Sequence, residues 1–197
     1  MNTPSKPRII VGISGASGVI YGVRMLQMLR EINVETHLVV SQAGRLTAHY
    51  ELGLDPKALG DLADHTYGAG DIGAAISSGS FPTLGMVVAP CSMRSLSEIA
   101  SGVTTGLLTR SADVVLKERR RLVLMVRETP LHTGHLRSMT EASEIGAIIY
   151  PPVPAFYSEP ETIDDIVNQT VGRVLDLFDL DAPQTKRWGE DLEKGKR

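Results

Sequence analysis

Short, nearly unbroken apolar runs alternate along this chain with longer stretches whose apolar residues recur every three or four positions. Unbroken runs suit strands buried on both faces, and the helical period suits segments that lay one face on a sheet. The pattern therefore predicts strand and helix in alternation around a parallel sheet. A first strand begins at Arg8 and ends in the turn Gly12-Ile-Ser-Gly-Ala-Ser-Gly18, and a helix over 18–31 carries Val19, Val23 and Leu26 on one face. A second strand spans 35–40, with a helix from Ser41. Residues 52–80, richer in Gly, Ala and Asp, read as loop and short helix with at most one short strand near 65–68. Strands at 84–89, closed by Pro90, and at 121–126 flank one or two helices, and a helix over 133–145 leads to a last strand at 147–150. The proline-rich stretch 151–155 is an extended connector, because proline has no N–H for a ladder. A last helix covers 163–178, with Ile163, Ile166, Val167, Thr170, Val171 and Val174 as its apolar stripe. The expected fold class is α/β: a doubly wound parallel sheet between two helix layers, in a single domain over 1–180, followed by a polar tail over 181–197 whose one anchor is Trp188.

Composition narrows the class. At 197 residues and 42% apolar content the chain can bury one good core. Twenty basic residues against 23 acidic ones leave a formal charge of −3, so the electrostatic footprint of a nucleic-acid binder is missing and a small-molecule partner is expected. No apolar run approaches the roughly 18 residues of a membrane span, and Cys91 stands alone, so we expect a cytoplasmic, reduced protein without membrane segments or disulfides.

The candidate chemistry begins at the glycine turn. A buried strand turning into a helix N-terminus presents N–H groups and a favourable dipole to a phosphate. The spacing of Gly12, Gly15 and Gly18 is not the G-x-G-x-x-G of dinucleotide folds, and the second strand ends in Ser41 where a ribose-binding carboxylate would stand. Hydroxyls at Ser14, Ser17 and Ser41 instead suit a mononucleotide such as FMN. The turn by itself equally fits a purely structural junction with Ser17 as N-cap. A second such element, Pro90 to Glu98, places Ser92, Ser95 and Ser97 at a helix start on the carboxyl edge of a strand, where open α/β sheets bind ligands. Its plainer reading is a capping box of Ser95 and Glu98. Cys91 reads as a small buried hydrophobe. Lys117 to Arg121 ends a helix, where cations favour the dipole, whereas Arg127 and Glu128 follow a strand's carboxyl end and bring a cation and a carboxylate to the same edge as the turns. Arg173, off the last helix's stripe, reads as a solvated charge. His132 and His135 have no Glu or Cys at ligand spacing, His37, His49 and His65 are scattered, and Asp164-Asp165 is not repeated, so no metal site is expected.

Taken in order, Ile-Val-Gly-Ile-Ser-Gly-Ala-Ser-Gly18, Ser-Ser-Gly-Ser-Phe81, Pro-Cys-Ser-Met-Arg-Ser-Leu96, Ala-Asp-Val-Val-Leu-Lys-Glu-Arg-Arg120, Arg-Glu-Thr-Pro-Leu131, Pro-Pro-Val-Pro-Ala-Phe-Tyr157 and Trp188 resemble the UbiX family of flavin prenyltransferases, which older usage calls aromatic acid or phenylacrylic acid decarboxylases. The resemblance covers nearly the whole chain. It implies a Rossmann-like fold and metal-independent transfer of the dimethylallyl group of dimethylallyl phosphate to N5 and C6 of reduced FMN. The product, prenylated FMN, would serve a UbiD-type decarboxylase. Carried over by position, Gly15, Ala16, Ser17, Ser41, the loop Ser92, Met93, Arg94 and Ser95, and Arg127 would contact FMN. Tyr157 and Arg173 would contact dimethylallyl phosphate, Lys117 and Glu128 would lie around its phosphate, and Glu51 and Trp188 would line the same pocket, Trp188 from a neighbouring subunit of a homododecamer. Ser17, Glu51, Lys117, Glu128 and Trp188 are thus the expected catalytic set. Arg94-Ser95 stands where Lys-Thr is common, Arg121 where Pro is common, and Val126 where Pro often precedes the Arg-Glu pair. Two other readings stay in play: an FMN-dependent decarboxylase acting directly on an aromatic or phenylacrylic acid, and a flavin carrier without catalysis.

Overall fold

A computed structural model describes residues 6–182 and 185–189. These fall into two compact units that divide between Pro151 and Pro152. In the first, β1 (Arg8–Ile13), β2 (Glu35–Val40), β3 (His65–Tyr67), β4 (Gly85–Cys91), β5 (Arg121–Val126) and β6 (Ala147–Ile149) form one all-parallel sheet in the order β3-β2-β1-β4-β5-β6. Winding runs outward in both directions from the β1/β4 pair, which leaves a crevice at the carboxyl ends of those strands.

Helices α1 (Val19–Glu31), α2 (Gln42–Leu52), α3 (Pro56–Gly60), α4 (Met93–Ala100), α5 (Leu107–Lys117) and α6 (Thr133–Glu144) belong to this unit. Alternate strand residues serve opposite layers. Ile10, Val39, Met86, Val88, Leu122 and Leu124 are buried in one cluster with Leu96, Ile99, Leu107, Leu108, Ala112 and Val115 of α4 and α5. On the other face α1 packs on β1, β2 and β4. A Cβ on Gly22 would stand 2.4 Å from the Ala89 carbonyl oxygen and 2.8 Å from Ile13 Cδ1, so the missing side chain is what lets this helix lie close. Each fully buried Leu, Ile or Val contributes roughly 1.5–3 kcal/mol.

The strands over 35–40 and 121–126 match the expected bounds, and the expected short strand forms as β3. One boundary moves. Pro90 does not close β4, which continues to Cys91 with a register shift between Val88 and Cys91, and this irregularity accommodates a residue without an N–H.

In the second unit, α7 (Ile163–Asp176) starts in a capping box. Thr162 Oγ1 accepts from the Asp165 N–H (3.1 Å), and Asp165 Oδ2 accepts from the Thr162 N–H (2.8 Å). Val167, Val171, Val174 and Leu175 are buried, but Ile163 is 80% exposed and lies outside the stripe expected of it. The segment after α7 is tied back to it: Lys186 N–H donates to Gln169 Oε1 (2.9 Å), Gln169 Nε2 donates to the Lys186 carbonyl (2.8 Å), and Arg187 bridges Asp176 and Asp181 at 2.8 Å each. Residues 183–184 and 190–197 of the expected tail lie outside the described residues. No helix among the described residues is long and apolar enough to cross a membrane.

Candidate active site

The turn after β1 is built differently from its sequence signature. Ser14 is fully buried, donates from Oγ to the Pro90 carbonyl (2.9 Å) and accepts from the Ser92 N–H (2.7 Å). It stitches the β1 and β4 loops together and offers nothing to a ligand. Gly18, at φ 98°, is the N-cap of α1 and carries no side-chain cap, so Ser17 does not cap this helix. Instead Glu51, near the end of α2, accepts from the N–H groups of Gly18 (2.9 Å) and Val19 (3.0 Å) and from the Ser17 hydroxyl. Partial burial works to raise the Glu51 carboxyl, but these donors and the nearby Arg127 charge outweigh it and hold it below the ordinary glutamate range. The anion at the α1 N-terminus is thus the protein's own carboxylate, and the expected phosphate seat is not at this helix.

Three other helix N-termini meet at one cavity of about 510 Å³ on the carboxyl edge of the sheet. Its lining includes Ser41, Gln42 and Ala43 at the start of α2, Ser92, Arg94 and Ser95 at the start of α4, and Gly106, Leu108 and Thr109 at the start of α5, with Gly15 from the β1 turn. Ser41 caps α2 by accepting from the Gly44 N–H (3.0 Å), and Ser92 caps α4 by accepting from the Ser95 N–H (3.3 Å). The α4 cap is therefore Ser92, not the Ser95–Glu98 box that the spacing allowed. Glu98 Oε1 is 2.9 Å from Arg94 Nε, and Glu98 Oε2 accepts from the Thr105 hydroxyl (2.6 Å). Burial works to raise this carboxyl, but those bonds win and hold it low. Close approach at the floor requires Gly15, where a Cβ would stand 2.4 Å from Ala43 Cβ. Unpaired first-turn N–H groups and aligned dipoles from several helices favour an anionic ligand, and the volume falls within the about 300–1,000 Å³ of small-molecule sites.

Arg127 and Glu128 follow β5 on the same edge. The Arg127 N–H donates to the Cys91 carbonyl (3.1 Å), its side chain is exposed, and its charge is felt by both Tyr21 and Glu51. Glu128 is exposed and accepts from the Thr129 N–H (3.1 Å). Cys91 is fully buried and its thiol is pushed up to about 12 by that burial, which leaves it a core residue and not a nucleophile. Lys117 does not join this group. It closes α5 at the amino end of β5, ion-paired to Glu118 and next to Gly79, while Arg127 lies past the carboxyl end; a six-residue strand separates them by about 20 Å.

In the second unit Tyr157 and Trp188 stand edge to face, with ring centroids 5.8 Å apart. Trp188 is 69% exposed, an unusual position for a large indole in a chain with one tryptophan. Arg173 is ion-paired to Asp176, which also holds Arg187.

Residues 2–175 match the Flavoprotein family. The flavin prenyltransferase UbiX of Salmonella typhimurium is 64% identical over 177 residues, which is 89% of this chain and 94% of that protein. The chain belongs to the UbiX flavin prenyltransferases. A crystal structure of AnUbiX (PadA1) in complex with FMN and dimethylallyl pyrophosphate superposes with a TM-score of 0.92 at 50% identity, covering 94% of this chain and 98% of that one. A dodecameric FMN-dependent UbiX-like decarboxylase from Escherichia coli O157:H7 gives a TM-score of 0.89 at 50% identity, covering 92% and 98%.

Several residues of this UbiX-family cavity escaped the sequence reading. Ala69, Gly70, Thr105, Gly106 and Thr109 line it, and Glu98 holds Arg94 and Thr105 in place. Thr105-Gly106 ahead of an apolar helical period is a usable helix-start signal. Ala69 and Gly70 carry no such signal, because they reach the cavity only through the pairing of β3 with β2 and the bond from Leu107 N–H to the Ala69 carbonyl (2.8 Å).

Proposed function

We propose that the protein joins the dimethylallyl group of dimethylallyl phosphate to N5 and C6 of reduced FMN and releases phosphate, supplying prenylated FMN to a UbiD-type decarboxylase. The observation that carries this reading is the cavity where the starts of α2, α4 and α5 converge with the hydroxyls of Ser41, Ser92 and Ser95 and the Arg94 guanidinium, on a chain of this family. That donor set fits the phosphate and ribityl chain of a flavin mononucleotide; Gly15 lines the cavity, and family position adds Ala16 and Met93 to the flavin contacts of this reading. FMN and dimethylallyl pyrophosphate in the AnUbiX complex support the same pair of ligand classes.

The residues then divide the chemistry. An allylic phosphate leaves only when the charge gathering on its oxygens is neutralised, and Lys117, Arg127, Arg173 and the Tyr157 hydroxyl supply that neutralisation where a divalent cation would otherwise serve. Asp176 holds the Arg173 guanidinium in place. Trp188 and the Tyr157 ring keep water from the allyl fragment. Because the Ser17 hydroxyl donates to Glu51, its oxygen is left to accept a proton from flavin N5 and pass its own to the carboxylate. Closing the ring adds a proton to C2 of the prenyl double bond, delivered by the departing phosphate, so that C3 can bond to C6, and Glu128, or that phosphate, takes the proton that C6 loses.

Lys117 lies on the opposite sheet edge from Arg127 in its own chain, so in this reading it reaches the phosphate from a neighbouring copy, as does Trp188. A homododecamer, the state described for the Escherichia coli O157:H7 relative, supplies such neighbours. Anaerobic incubation with reduced FMN and dimethylallyl phosphate, followed by mass analysis of the flavin, tests the proposal: a flavin heavier by the prenyl unit is expected, and unmodified flavin defeats it. The decarboxylase description of that relative favours direct decarboxylation as the second reading, and release of CO₂ from an aromatic acid by the purified protein alone would establish it.

A further inference from the structure

At the amino-terminal edge of the sheet, remote from the cavity, β2 and β3 bring together side chains that looked scattered in sequence. His37 and His65 are register partners on adjacent parallel strands, so both leave the same face, and Glu35 shares that face two residues before His37. Glu35 Oε1 lies 3.0 Å from His37 Nε2 and 3.5 Å from His65 Nε2, and one donor atom from each of the three residues lies within 4.8 Å of the others. A tetrahedral centre with ligand bonds of about 2.0–2.2 Å has ligand–ligand edges of roughly 3.3–3.6 Å, near the two Glu35 separations; the two imidazoles are stacked with 17° between their planes, so the half-exposed His65 ring turns to aim its lone pair at the same centre.

Protonation and support agree with the geometry. Burial keeps His37 below the ordinary histidine range and therefore neutral at neutral pH. The Glu35 carboxyl, which burial alone would raise, is held low by bonds from His37 and Arg8. His37 Nδ1 is 2.8 Å from the Tyr67 hydroxyl, which donates to Nδ1 when Nε2–H is bonded to Glu35 and accepts from Nδ1–H when Nε2 carries a metal. Switching between the two forms leaves no buried polar group unpaired, and it is the outer-shell partner a ligating histidine needs. His65 is half exposed, which gives solvent a route in and leaves room for water as a fourth ligand. One group opposes a cation: Arg8 Nε lies 3.0 Å from the same Glu35 oxygen.

We propose that Glu35, His37 and His65 bind a divalent transition cation of the zinc class, with water completing the tetrahedron, and that the cation clips β3 to β2. The chain after β3 supplies Ala69 and Gly70 to the cavity wall, so the clip steadies that wall and takes no part in the reaction. The test is titration of the chelator-treated full chain with Co²⁺ alone, followed by visible absorption, and with Zn²⁺ by calorimetry. One equivalent per chain with a tetrahedral cobalt spectrum is expected, together with a rise in Tm on adding Zn²⁺. His65→Ala and Glu35→Gln should each weaken binding at least about tenfold. Arg8→Gln should tighten it, and chelation should leave the prenylation rate unchanged. Because His37 is buried and its replacement threatens folding, the decision rests on the half-exposed His65. Unchanged binding in His65→Ala, absence of a cobalt spectrum in the parent, or loss of binding in His132→Ala would overturn the assignment.

Discussion

The Glu51 carboxylate accepts from the Gly18 and Val19 amides and from Ser17, so a single residue closes the α1 N-terminus and orients the hydroxyl that we place at flavin N5. Glu51→Ala removes a capping acceptor and should cost about 1 kcal/mol, read as a lower denaturant midpoint, along with slower prenyl transfer. The folded pKa of Glu51 is depressed, so its contribution is present above the ordinary glutamate pKa of about 4.3 and is lost as the pH falls through the lower folded value. The stability difference between the parent and Glu51→Gln should accordingly be full at neutral pH and shrink below roughly pH 4, as measured by denaturation at each pH. Arg173→Ala should abolish prenyl transfer while FMN still binds, which flavin fluorescence and mass analysis read separately; normal turnover in that variant would remove Arg173 from the site. The role proposed for Arg173 comes only from family resemblance, because a charge off the apolar stripe of a helix is usually just solvated.

At the scale of elements, the cavity depends on α2, α4 and α5 all starting on one sheet edge. That follows from right-handed crossovers on a sheet whose winding reverses between β1 and β4. Gly15 sets how near the β1 turn comes to the start of α2. Gly15→Val would press on Ala43, cost roughly 1–3 kcal/mol as overpacking, and weaken FMN binding in a fluorescence titration. The glycine turn was legible as a strand-to-helix junction, since its glycines and the flanking apolar runs are local signals. Which anion sits on α1 was not, because the occupant is Glu51, brought in by a separate helix. The passage of β4 through Pro90 was hidden for a similar reason: the register shift that tolerates the proline is a property of the pair β4 and β5 together.

At the scale of the whole molecule, Lys117 and Arg127 belong to opposite ends of β5, and the proposed site needs both. If neighbouring copies exchange Lys117, then Lys117→Ala and Arg127→Ala chains, each inactive alone, should recover part of the prenylation activity when co-expressed and assembled together. Failure of mixed assemblies to recover any activity would place Lys117 outside the chemistry. By itself the sequence determined the α/β class, the bounds of β2 and β5, the serine-lined turns and the family, because apolar runs, helix-start residues and ordered motifs act over a few neighbouring positions. The tertiary structure alone decided that three helix ends share one cavity, that Glu51 caps α1, that Lys117 and Arg127 lie at opposite ends of β5, and that His37, His65 and Glu35 meet. Each of those rests on strand register and crossover packing, which join residues tens of positions apart and leave no local trace in the chain.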